Sequence, residues 1–148
     1  MKQLAQQVGM GVSVMPETIL FIGGEVINHL AVQSDMDDET AATLGYNFMV
    51  FLKENLIILT KEISDLYAQS IRSLDIVKAH DLAFEFLADK AVEVLNLRPK
   101  KSQWETIKEQ MSSESMNAII KAIETANDDE LELLFVIYPT LVQAFQNR

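Results

Sequence analysis

The stretch DETAATLGYNFMVFLKENLIILTKEISDLYAQS, residues 38–70, decides the fold. In it Ala42, Gly45, Met49, Leu52, Leu56, Leu59, Ile63 and Leu66 recur at alternating spacings of three and four. That is a heptad seam, and it has nothing of the period of two of a strand. Phe48, Phe51, Ile58 and Tyr67 widen the apolar face, so this helix is expected to touch several neighbours instead of a single coiled-coil partner. Asp37 or Asp38 supplies the N-cap.

Working outward, the segment before it reads as a helix over Pro16–Gln33. Pro16 sits in the first turn, where a missing N–H costs little, and Ile19, Ile22, Val26 and Leu30 form one stripe. A further short helix is expected over 2–10, frayed by Gly9 and Gly11. Downstream, a helix capped by Ser73 runs over 74–97, with Val77, Phe84, Leu87, Ala91 and Val94 as its stripe, and Pro99 ends it. Ser102 and Glu105 have the spacing of a capping box that opens the next helix. Ser112 or Ser113 is expected to restart the chain as another helix. Asn127 to Glu130 cap a last one, in which Pro139 predicts a kink or a split near 135–138. No strand alternation or hairpin turn persists anywhere.

The expected fold is therefore all-α: a compact bundle of about six helices, with a long central helix at about 38–70 and shorter helices toward the C-terminus. One domain over 1–148 is expected; a subdivision, if there is one, falls at 98–102.

Composition narrows the function classes. With no cysteine in 148 residues, a disulfide scaffold, a thiol nucleophile and thiolate metal ligands are excluded. The net charge is −10. Residues 34–72 carry seven acids against three bases and residues 102–148 eight against three, whereas 73–101 balance at five and five. Direct binding to nucleic acid or to an anionic membrane needs the opposite sign. Arg98, Lys100 and Lys101 are the only basic cluster, read as a solvated loop. The start of the chain lacks the continuous apolar core of a secretory signal, and no apolar run is long enough for a membrane span, so a cytoplasmic location is expected.

Candidate chemistry fails residue by residue. Glu25 and His29 share a helix face at i, i+4 but lack the Glu-x-x-His motifs of a di-iron bundle, and they read as a surface polar pair. His80 falls within an apolar stripe and reads as a core-edge histidine bonded to a side chain or carbonyl. The acids from Asp35 onward are not a calcium loop, because Thr40 and Tyr46 stand where glycine and glutamate are required. No catalytic residue, metal site or cofactor is expected. The paired Gly23 and Gly24 cost about 2 kcal/mol together relative to alanine, so close approach of another helix or a break that turns the chain is expected there, with a partner contact as the alternative to a packing role.

The reading that remains is a non-enzymatic protein–protein interaction module: an adaptor, an assembly- or secretion-type chaperone, or an inhibitor. It would hold another protein, or a second copy of the chain, on an apolar helical surface with an acidic surround. Candidate partner-binding residues are Trp104, Met111 and Met116, as an adaptable groove, and the acids Asp128, Asp129, Glu130 and Glu132. Two alternatives are carried forward. One is an acidic decoy that mimics nucleic acid in a basic groove. The other is a cofactor-binding or enzymatic bundle, to which a buried Asn55, Tyr46 or His80 would contribute.

Overall fold

A computed structural model describes residues 16–72 and 76–146, and these form seven helices. They are α1 (Pro16–Gln33), α2 (Asp38–Glu54), α3 (Leu56–Arg72), α4 (Ile76–Val94), α5 (Lys101–Thr125), α6 (Asp128–Ile137) and α7 (Pro139–Gln146). The helix expected over 2–10 and the cap at Ser73 lie outside the described residues. The all-α bundle is as expected, but its centre is not. α1 and α4 each pack on five other helices, whereas the predicted long central helix is two helices at the periphery of that pair.

The break falls at Asn55, whose backbone has left the helical region (φ −115°, ψ 20°). Its own N–H and its side-chain Nδ2 both donate to the Phe51 carbonyl, at 3.0 and 2.9 Å. Asparagine is a weak helix former because its side chain competes for backbone partners in this way. The bend lets one heptad seam serve two neighbours: α2 lies along α1, and α3 lies along α4. Ile57 and Ile58 are left outside the bend, 88% and 60% exposed.

Small residues make up much of the buried face of α4. α4 buries Ala79, Ala83, Ala88 and Ala91 together with Phe84 and Leu87, so its buried stripe is rotated away from Val77 and Val94, which are partly exposed. On α1 a Cβ at Gly23 would stand 2.3 Å from Leu52 Cδ1, so α2 does approach closely there; at Gly24 it would meet nothing within 4 Å.

Both central helices end in the same way. Met36 and Leu97 N–H bond back to the Ala31 and Val92 carbonyls, and Asp35 and Asn96 N–H to Val32 and Glu93. Asp35 and Asn96 hold the left-handed conformation (φ 50° and 54°), which Asp and Asn tolerate better than most residues.

Two further boundaries differ from expectation. α5 runs unbroken through Ser112 and Ser113, because Ser112 turns its hydroxyl inward onto the Glu109 carbonyl without interrupting the helix. It also begins at Lys101, with Lys100 as an N-cap that offers no side-chain hydrogen bond, so Ser102 lies inside the first turn and forms no capping box. Pro139 splits the last helix as predicted. The Ile137 carbonyl at the break is taken by the buried Thr18 hydroxyl of α1. None of the described helices is long and apolar enough to cross a membrane.

Candidate functional site

Three places carry polar or exposed groups that the bundle alone does not require. The first is internal. Where α1, α4 and α5 meet, the Ser115 hydroxyl donates to Glu25 Oε2, and His80 Nε2 lies 3.3 Å from the same hydroxyl oxygen. A serine has one proton to give, so this order assigns the Nε2–H tautomer to His80. His80 Nδ1 has no hydrogen-bond partner. The imidazole is fully buried, and desolvation pushes its pKa down to about 4, so it is neutral. Glu25 is shifted upward by burial, against the opposing effect of the Ser115 hydrogen bond. Tyr138 packs edge-on against the His80 ring at 5.7 Å; its buried hydroxyl lies beside Glu25 without reaching hydrogen-bond geometry.

A serine, a histidine and a carboxylate in one cluster invite comparison with a nucleophilic triad. Here the serine proton is committed to the carboxylate, and the histidine donates to the serine oxygen instead of accepting from it. Ser115 is 1% exposed. What the arrangement does is lock three helices together through a satisfied hydroxyl. The Glu25–His29 surface pair does not form: Glu25 turns to Ser115, and His29 lies 3.7 Å from Glu114. Tyr46 is exposed and Asn55 half-buried at the bend, so neither joins His80.

The second place is α6. Six of its ten residues are apolar, yet none is buried. Asn127 caps it by accepting from the Glu130 N–H at 2.9 Å, while Glu130 accepts from the Asn127 N–H at 3.3 Å. The helix therefore has a fixed start that does not depend on deep packing. Leu131, Leu134 and Ile137 rest on the core. On the outer face, helical spacing brings Asp129, Glu132, Leu133 and Val136 into line, with Asp128 and Phe135 along one flank. Leu133, Val136 and Phe135 are 63%, 51% and 47% exposed. Acids head this surface and hydrophobic side chains form its body.

The third is a pocket of about 300 Å³ where α1 and α4 end and α5 begins. Leu30, Met36, Leu97 and Ile107 line it, with the half-buried Trp104 as a wall. Arg98 and Lys100 stand exposed at its rim, with no ion pair among the described residues. Trp104 Nε1 donates to Asp89 Oδ1 at 2.8 Å, and Lys108 Nζ holds Asp89 Oδ2 at 2.9 Å, so the indole is fixed in place.

The residues chosen from sequence thus separate. Trp104 lines the pocket, but Met111 and Met116 are buried in the core and do not share a groove with it. Asp128, Asp129, Glu130 and Glu132 sit together on α6, with Glu130 committed to the cap. Sequence reasoning passed over Leu133 and Val136, because Leu131, Leu134 and Tyr138 form the stronger stripe. The available signal was an apolar pair on the face opposite that stripe. Among the described residues no three metal-ligating side chains gather. Comparison with protein-family models, curated proteins and solved structures gives no match.

Proposed function

We propose that this chain is a non-enzymatic interaction module, and that the outer face of α6 docks a cationic amphipathic helix of a partner protein. The observation that carries the reading is a stably capped helix whose hydrophobic side chains are exposed on its outer face, beneath a row of acids. Exposed apolar patches rimmed by polar residues mark interaction sites on soluble proteins. An amphipathic helix laid on such a face buries its own apolar side chains against Leu133 and Val136. Asp128, Asp129 and Glu132 require that its flanking charges be positive, which also disfavours self-pairing of two α6 faces. Adaptors, assembly chaperones and inhibitors all use contacts of this kind.

A synthetic helix of leucine and lysine at heptad spacing, titrated by calorimetry, tests the reading. Binding is expected to weaken with salt, yet to persist once charge attraction is screened, because the apolar contact remains. Asp128→Lys/Asp129→Lys should lower the affinity and flatten the salt response. Binding that disappears at high salt would fit an acidic decoy of nucleic acid and would sink this proposal. A chain that dimerises until Leu133 is changed to Asp would assign the face to a second copy.

A further inference from the structure

The pocket beside Trp104 is independent of the α6 face, and its chemistry is of the opposite sign. Its wall is largely apolar, with Leu30, Met36, Leu97, Ile107 and the indole of Trp104, and Gln33 and Ser34 add neutral polar groups. The turns that close the two helix ends bond three terminal carbonyls of each helix, Leu30, Ala31 and Val32 on α1 and Ala91, Val92 and Glu93 on α4, back to backbone N–H groups. Met36 and Leu97, the residues that close the α1 and α4 turns, are themselves lining residues. Arg98 and Lys100 are therefore not consumed in capping the end of α4. No acid lines the pocket, and neither cation has an ion-pair partner among the described residues, in a chain whose net charge is −10. At the start of α5, Lys100 supplies no capping side chain. The volume, about 300 Å³, is at the small end of the range for ligand sites, which are typically apolar with a few placed polar groups.

We infer that this pocket binds a small amphipathic anion, an aliphatic or aromatic carboxylate whose apolar body lies against Trp104 and whose charge meets Arg98 and Lys100. The cations select the anionic head, and the small volume of the pocket selects a short body. The fixed indole makes the site ready-made, since Asp89 and Lys108 already hold it by hydrogen bond and cation–π contact (5.8 Å to the ring).

Trp104 is the only tryptophan, so its fluorescence reports on this pocket alone. Decanoate, added below its micelle concentration, should change that emission saturably. Decanol, with the same chain and no charge, should bind about fivefold more weakly or worse, the scale of two exposed charge contacts. Arg98→Gln/Lys100→Gln should bring decanoate down to the level of decanol and leave the decanol affinity and the helical circular dichroism unchanged. No saturable change with decanoate overturns the inference. So does equal affinity for acid and alcohol, or a decanoate affinity that the double substitution leaves intact.

Discussion

α4 and α6 are both rich in apolar residues, but they end up in opposite environments. α4 buries Ala79, His80, Ala83, Phe84, Leu87, Ala88 and Ala91 under five neighbours, and α6 buries nothing. Propensity and capping make both of them helices. They differ in what each leaves uncovered: α4 turns four alanines, Phe84 and Leu87 into the core, whereas α6 presents Leu133, Phe135 and Val136 to solvent. Around α4 the buried Ser115 hydroxyl is hydrogen-bonded and the buried His80 imidazole is neutral; on α6, acids stand exposed to solvent at the edge of an apolar surface. One region holds the fold together, and the other leaves an apolar face uncovered.

The largest expected effect breaks the buried side of this contrast. His80 is neutral and its folded pKa lies near 4, below the ordinary 6.5. Its contribution to stability is therefore fully present above pH 6.5 and is lost as pH falls through about 4. A shift of that size corresponds to about 3 kcal/mol. Denaturant unfolding across this window should show the loss, and His80→Phe should remove that pH dependence. Glu25 has the opposite sign. Its pKa is raised, so the cost of ionising it grows as pH rises through its titration. Glu25→Gln should therefore gain on the native chain toward neutral pH and lose that advantage at acid pH.

Next come the adjacent glycines. Gly23→Ala drives a methyl into Leu52 and should cost about 1–3 kcal/mol, as overpacked cores do. Gly24→Ala meets open space and should stabilise by up to about 1 kcal/mol through helix propensity. Thermal unfolding of the two variants measures the difference directly. A smaller loss, about 1–2 kcal/mol, is expected for Thr18→Val, which keeps the shape but strands the Ile137 carbonyl at the proline break. A Thr18→Val protein as stable as the parent would show that the carbonyl finds another donor.

Much of this contrast was legible in the sequence where a local rule governs it. Pro16, Asp37, the box at Asn127 and Glu130, and the break at Pro139 each act within one turn of chain, and each falls where its chemistry predicts. The misreadings arise where a long-range contact, or a competing bond within the same helix, overrides the expected rule. A heptad seam through Asn55 reads the same whether the helix is straight or bent, since the bend is decided by α2 and α3 having different partners. Ser112 has the chemistry of a cap but is satisfied within α5. The bond between Ser115 and Glu25 spans 90 positions, and no spacing rule predicts it. The α6 face was hidden for a similar reason. An amphipathic pattern says which side of a helix is more apolar, but not whether the remaining apolar residues find a neighbour.

Whether α6 is a docking face or merely a poorly covered helix is decided at Leu133 and Val136. Ile57 and Ile58 provide the control, because together they are more exposed than Leu133 and Val136 and lie on a different helix, at the α2–α3 bend. The decisive measurement is the affinity of the leucine–lysine helix for Leu133→Asp/Val136→Asp and for Ile57→Asp/Ile58→Asp, with both folds checked by thermal unfolding. Surface changes of this kind should shift stability by no more than about 0.5 kcal/mol. A docking face at α6 gives at least about a tenfold loss, roughly 1.4 kcal/mol, for the α6 variant and no loss for the bend variant. Equal affinities for the two variants would contradict it.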